Sequence, residues 1–257
     1  MQIEILHDKK EKLSFLLKDS TPAFANALRR TIVDEVPTLA IETVEIRKNN
    51  SVLYDEIIAH RLGLVPLKTD LKGYTPIDKC TCSKEGCAKC QVTAVLKAKG
   101  PCTVYASELK FKDPAIKSVY PEMIIVKLLK NQELELEATA ILGRGKEHAK
   151  WSPAHTFYKY NPVIEIKNVE NPEAVAKVCP TKVFEVKGKK LVAANPQDCI
   201  LCGACVDESS GQVKLNESDK DFIFFVESFG QLECAEIVAK AVEIVEEQLD
   251  EFEEKLK

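Results

Sequence analysis

Cys199, Cys202 and Cys205 form a CxxCxxC run, and a fourth cysteine, Cys179, is followed directly by Pro180. A tight loop can aim three thiolates at this spacing toward one centre, and with a remote Cys-Pro pair they form the ligand pattern of an iron-sulfur cube. A second set, Cys80-Thr81-Cys82 and Cys87-Ala88-Lys89-Cys90, presents two close pairs from one loop. Four thiolates placed this way can enclose a tetrahedral Zn2+ with no open position, which makes the site structural and not catalytic. Because the CxC pair is tighter than the usual CxxC, the second set has three readings: zinc, another metal or cluster, and no metal at all.

The first set can be tested against the two-cluster bacterial ferredoxin pattern CxxCxxCxxxCP, in which the fourth cysteine of each run serves the other cluster. Counting back from Cys179-Pro180, the partner positions fall on Val175, Pro172 and Val169, and four positions after Cys205 stands Ser209. These absences all belong to one cluster. The cysteines that stay, Cys179, Cys199, Cys202 and Cys205, complete the other, so a single [4Fe-4S] cluster is expected, with buried thiols or a zinc site as the alternatives. Cys102 and Cys234 have no partner in sequence and read as plain buried thiols.

No catalytic constellation accompanies these sites. His7, His60, His148 and His155 are scattered without ligand spacing, and Gly143-Arg144-Gly145 is too short for a phosphate loop. Nucleophile, base and oxyanion hole cannot be assembled from the remaining residues.

The elements that must position the cysteines follow from patterning. The chain has 257 residues, 45% of them apolar and 30% charged, enough for two or three domains at about 100–200 residues each. Leu13, Phe15 and Leu17 alternate with polar neighbours as in a half-buried strand. A helix follows, capped by Thr21 with Pro22 in its first turn, and Pro37 stops it. Its apolar stripe is Phe24, Ala27, Leu28, Thr31 and Ile32; Asn26, Arg29, Arg30 and Val33 take the other face. Strands are expected over Leu39–Ile46, Gln91–Lys99, Glu133–Leu142 and Phe222–Phe229, and a short helix over Tyr54–Gly63. Thr69–Gly86 has loop chemistry. Pro153, Pro162 and Pro172 punctuate a boundary before a compact cysteine-bearing unit at about Val163–Lys220. Gln231–Lys257 reads as a long helix with Val238, Ala241, Val245, Leu249, Phe252 and Leu256 on one stripe.

Ten cysteines without a signal-type N-terminus point to the reducing cytoplasm and to metal in preference to disulfides. No apolar run approaches the roughly 20 residues that cross a bilayer. The net charge is -4, and from Gln231 to Lys257 nine acidic residues face three lysines. That end would be repelled by nucleic acid, and no dense basic stripe exists elsewhere, so direct DNA contact is not expected.

Phe24-Ala25-Asn26-Ala27-Leu28-Arg29-Arg30-Thr31 with Glu35-Val36-Pro37, then Asp55-Glu56-Ile57-Ile58-Ala59-His60-Arg61-Leu62-Gly63-Leu64-Val65-Pro66-Leu67, closely resemble the assembly subunits of DNA-directed RNA polymerases. Ala149-Lys150-Trp151-Ser152-Pro153 and the embedded ferredoxin-like unit narrow the resemblance to the archaeal D subunits, which are similar to the eukaryotic third-largest subunit and the bacterial alpha N-terminal domain.

The resemblance implies an α+β chain. An alpha-subunit-like dimerisation domain is discontinuous over 1–47 and 221–257, a mixed insert domain with the four-cysteine loop covers 48–162, and a ferredoxin-like [4Fe-4S] domain covers 163–220. It implies a heterodimer with the small subunit L, joined by subunits N and P, on which the two large catalytic subunits assemble. Phe24, Leu28, Val238, Val245, Leu249 and Phe252 would then face the partner, unless both stripes pack only within this chain. Asn26, Arg29 and Arg30 would face the second-largest subunit. Some relatives hold a [3Fe-4S] cluster or have lost the cysteines; with all four ligands here, the four-iron cube is the expectation. A ferredoxin-type electron-transfer protein or oxidoreductase subunit is the competing class, and a stand-alone zinc-dependent DNA binder a third.

Overall fold

From Glu133 to Gly143 every second side chain is apolar, and in the computed structural model this stretch is a strand with Leu134, Leu136, Ala138 and Ala140 buried on one face. The structure describes residues 1–82 and 85–257. Ser83 and Lys84, within the loop expected over Thr69–Gly86, lie outside the described residues. In chain order the elements are β1 (Gln2–Lys9), β2 (Lys12–Lys18), α1 (Pro22–Asp34), β3 (Thr38–Asn49), α2 (Asp55–Gly63), β4 (Gln91–Lys99), β5 (Cys102–Tyr105), β6 (Lys110–Phe111), β7 (Ile124–Leu128), β8 (Glu133–Gly143), β9 (Ala154–Ile166), α3 (Pro172–Val178), β10 (Phe184–Lys187), β11 (Lys190–Ala193), α4 (Ala204–Glu208), β12 (Val213–Ser228) and α5 (Cys234–Leu256). No described helix is long and apolar enough to cross a membrane.

The chain forms two compact units. The larger gathers Lys9–Lys12, Leu28–Thr156 and Val226–Lys257. Its main sheet runs in the order β3-β8-β4-β6, with β8 antiparallel to both β3 and β4. The buried face of β8 joins Leu39 and Ile41 of β3, Leu96 of β4, and Ile58 and Leu62 of α2 in one apolar core. On the other face Glu133, Glu135 and Glu137 meet Lys48, Lys99, Lys97 and Arg47. Alternation thus serves both faces: burial holds one, and cross-strand charge pairs fix register on the other.

The smaller unit gathers Met1–Asp8, Leu13–Ala27 and Phe157–Phe225. Its sheet order is β1-β2-β12-β9. Aromatic side chains cross it: Phe15 stacks on Phe224 at 5.1 Å, Phe224 on Tyr158 at 5.3 Å, and Tyr160 lies 5.2 Å from Phe222. A second core, Val175, Val183, Phe184, Leu191 and Val213, encloses Cys199 and Cys205.

Three expectations change. Pro162 lies not in a loop but inside β9; that strand is at the sheet edge, where a proline removes no ladder bond on the open side. The strand expected from Phe222 begins at Val213, because its first half, Lys214 to Asp221, is polar and is held by pairing, not by burial. In α1 the buried face is Ala25, Leu28, Thr31 and Ile32, while Ala27 is exposed and Phe24 half-buried. Leu28, Thr31 and Ile32 are buried as the sequence suggests, and the difference is that small Ala25 faces the core in place of Ala27.

Candidate metal centres

The loop between α2 and β4 brings Cys80, Cys82, Cys87 and Cys90 together, with all four sulfurs within 4.8 Å of one another. Cys80 and Cys87 are 3.6 Å apart, Cys82 and Cys90 3.6 Å, and Cys87 and Cys90 3.9 Å. A tetrahedron of thiolates at about 2.3 Å from zinc has edges of about 3.8 Å, so the donor set fits one such ion. The backbone builds this spacing. A turn puts the Cys90 and Gln91 N–H groups on the Cys87 carbonyl, both at 3.0 Å, and feeds directly into β4. Gly86 turns the chain at φ +86°, where a side chain would also meet Gln91. Burial pushes the Cys90 thiol up to about 12. Burial also raises Cys82, but hydrogen bonds from Cys80, the Gly86 N–H, Cys90 and Cys87 bring it down to about 7.

In the smaller unit Cys199 and Cys205 are buried, Cys179 is half-buried and Cys202 is exposed. Among the described residues no second group of ligands gathers as closely as the Cys80 set, so these four do not crowd around a single small ion. Burial pushes the Cys205 thiol up, and the charges of Cys199, Cys202 and Cys179 all bear on it. Four thiolates are the donor set that an iron-sulfur cube takes, one to each iron. Two backbone N–H groups already point at sulfur: Val183 to Cys179 and Leu201 to Cys199, each at 3.4 Å. The loop coils through left-handed backbone at Leu201 (φ +57°) and Gly203 (φ +79°). For leucine this conformation is strained, and such strain collects where function dictates the path.

The positions of the missing second set are filled. Val175 is buried in the apolar core. Ser209 is buried too, its hydroxyl donating to the Val206 carbonyl at 3.2 Å and accepting from the Val213 N–H at 2.9 Å.

The remaining motif residues brace the fold. Trp151 is buried, donates from Nε1 to the Ile141 carbonyl at 3.3 Å, and accepts at its own carbonyl from Thr38 at 2.7 Å. Lys150 lies over its ring and pairs with Glu42. Glu35 meets Lys146 at 2.9 Å and Arg144 at 3.5 Å, and a side chain at Gly145 would strike the Val33 carbonyl. Gly143 and Gly145 are therefore packing glycines. His148 is structural as well, capping a short 3-10 turn by accepting the Lys150 N–H.

Residues 44–157 match a family model described as the RNA polymerase Rpb3/RpoA insert domain. The chain is similar to proteins named DNA-directed RNA polymerase subunit Rpo3. In Methanosphaera stadtmanae the identity is 38%, covering 97% of this chain and 96% of the relative; in Archaeoglobus fulgidus it is 38%, covering 98% and 96%; in Pyrococcus horikoshii it is 39%, covering 98% and 96%. The chain belongs to the Rpo3 family of archaeal RNA polymerase subunits. It is thus a non-catalytic assembly subunit of that enzyme, involved in transcription.

For an Rpo3 chain the surface of α5 is of interest. Its first half is packed through Ile237 and Ala241, with Val238 and Val245 half-buried. Beyond them Leu249 and Phe252 are each 61% exposed, and Leu256 is exposed as well. On α1, by contrast, Leu28 is buried within this chain. Arg30 also has an internal neighbour, Asp34 at 3.8 Å along the helix. Arg29 is half-buried and Asn26 exposed. Sequence reasoning missed Lys159 of β9, whose ammonium donates to the carbonyls of Gln197 at 2.6 Å and Cys199 at 3.0 Å. Its only sequence signal is a lysine set between Tyr158 and Tyr160.

Proposed function

We propose that this chain pairs with the small subunit L of the archaeal polymerase, is joined by subunits N and P, and so forms the cytoplasmic platform on which the two large catalytic subunits assemble. The observation that carries this reading is the distal half of α5, where Leu249, Phe252 and Leu256 form an apolar stripe uncovered by the chain itself. Half-buried Phe24, Val238 and Val245 would extend it, and Asn26, Arg29 and Arg30 would meet the second-largest subunit. In this reading residues 1–47 and 221–257 are the dimerisation domain, 48–162 the insert and 163–220 the ferredoxin-like domain. That division is by role; it cuts across the two compact units because β9 and β12 run through its boundaries.

Cys80, Cys82, Cys87 and Cys90 would hold one structural Zn2+, favoured by the 3.6–3.9 Å sulfur spacing. Cys179, Cys199, Cys202 and Cys205 would hold one [4Fe-4S] cluster, with [3Fe-4S] as its reduced-nuclearity form. When bound, such a cluster supplies one-electron chemistry and a rigid cross-link between loops. The chain's own part is to present the sulfurs, donate N–H bonds to Cys179 and Cys199, and shield them with Val183 and Phe184. Electron transfer as the main task is disfavoured by the polymerase relatives and by the filled second ligand set.

Co-expression of the chain with subunit L tests the proposal. A soluble 1:1 complex is expected, with the chain alone self-associating through α5. A well-behaved monomer that ignores subunit L overturns it.

A further inference from the structure

Lys159 lies at the middle of the edge strand β9, and strand alternation divides its neighbours between two faces. Tyr158 and Tyr160 join the aromatic row with Phe222 and Phe224. On the opposite face Phe157 stacks on Phe225 at 4.8 Å, and the Lys159 ammonium stands 5.6 Å from the centre of the Phe225 ring. From there it reaches the Gln197 carbonyl at 2.6 Å and the Cys199 carbonyl at 3.0 Å. Holding a lysine in one rotamer costs entropy that a solvated side chain would keep. Here the cost is met by two carbonyls of the very segment that leads into the CxxCxxC loop. Asp198, between those carbonyls, is exposed, and Cys199 is buried with its sulfur accepting from Leu201.

We infer that Lys159 is a positioning and charge-compensating residue, fastening the Cys199 arm of the cluster loop to the aromatic face of β9 and β12 and holding a positive charge beside an iron-sulfur cluster. This rests on the cluster reading given above. Four thiolates outweigh the charge of an iron-sulfur core, so the liganded cluster is anionic and becomes more so on taking up an electron. A cation held one residue's reach from Cys199 favours both retention of the cluster and its reduced form. Lysine meets this need because its ammonium can donate to two carbonyls at once.

The test uses the full chain, co-purified with its partner without oxygen, as wild type, Lys159→Met and Lys159→Arg. Dithionite titration followed by electron paramagnetic resonance gives the midpoint of the one-electron couple. Lys159→Met should lower the reduced-to-oxidised ratio at a fixed potential about tenfold, which is about 59 mV for one electron. It should also speed iron loss to a chelator about tenfold, and Lys159→Arg should restore the midpoint. In the metal-stripped chain, amide exchange over Gln197–Ile200 should be faster for Lys159→Met, a readout that needs no cluster. If that variant does not accumulate, Lys159→Gln, uncharged but still a donor, carries the same measurement. A wild-type midpoint in the uncharged variant overturns the inference. A wild-type chain that binds no iron at the four cysteines overturns the cluster reading and this inference together, whereas a loaded cluster indifferent to Lys159 overturns this inference alone.

Discussion

Thiols crowded as closely as those of Cys80, Cys82, Cys87 and Cys90 resist ionising together, because each thiolate raises the cost of the next. A divalent cation removes that conflict, and the protons leave as it binds. Cys90, pushed up to about 12 by burial, must give up a proton at neutral pH, while Cys82, drawn down to about 7, is already partly ionised. Metal analysis should therefore find about one zinc per chain, and adding zinc to stripped protein at neutral pH should acidify the solution. Cys87→Ser should release the zinc and leave the iron-sulfur absorbance in place; loss of iron instead would show that the cysteines are partitioned wrongly. On β8, hydrogen bonds from Lys48 at 2.5 Å and Lys99 at 2.9 Å hold the Glu133 carboxyl down to about 2. The folded value lies below the unfolded one of about 4.3, so this clasp stabilises the fold above that value, and its contribution fades as pH falls through about 2. Glu133→Gln should melt earlier than wild type at pH 7, and the gap should close on acidification and narrow in salt. A gap independent of pH contradicts the assignment.

Elements with one buried and one solvated face were legible in the sequence, because their patterning carries the fold directly. Gln91–Lys99 is recovered to the residue, and β8 runs one residue past the expected Leu142. β1 is not among the expected strands, although Ile3 and Ile5 alternate with Gln2 and Glu4; seven of its eight residues are exposed, so the chain itself does not bury that face. The polar start of β12 was hidden for a related reason, since pairing with a neighbour leaves no mark in one strand's own composition. On α1 the stripe of Leu28, Thr31 and Ile32 was legible, but Ala25 and not Ala27 faces the core, because alanine carries little information about burial. α5 shows what patterning cannot say. Its stripe is continuous in sequence, but the chain covers only the proximal part and leaves Leu249 and Phe252 out. Leu249→Asp with Phe252→Asp should render the chain alone less prone to self-association and abolish capture by subunit L, with the melting temperature of the chain little changed. Undiminished pairing in a pull-down would place the interface elsewhere.

At the scale of the whole molecule, metal ligands come from loops while the sheets and α5 come from distant segments. The gathering of Cys80, Cys82, Cys87 and Cys90 was legible because cysteine spacing encodes it locally; Lys159 was not, because it is 38 residues or more from the carbonyls it holds. The proposed cluster would tie Cys179 to a loop about 20 residues on, making its binding energy local folding energy. Cys202→Ser should speed hydrogen exchange over residues 163–220 while pairing with subunit L persists; protection lost equally in β3, β8 and α5 would contradict this independence. The central claim is that this chain nucleates a polymerase without performing its chemistry. Reconstitution of the archaeal enzyme from separate subunits, with this chain omitted or supplied, tests it most directly by native mass spectrometry of the products. Omission should leave the large subunits unassembled, and supplying the chain with subunit L should give one copy of each per complex and restore RNA synthesis. Assembly of the large subunits without this chain would contradict the account.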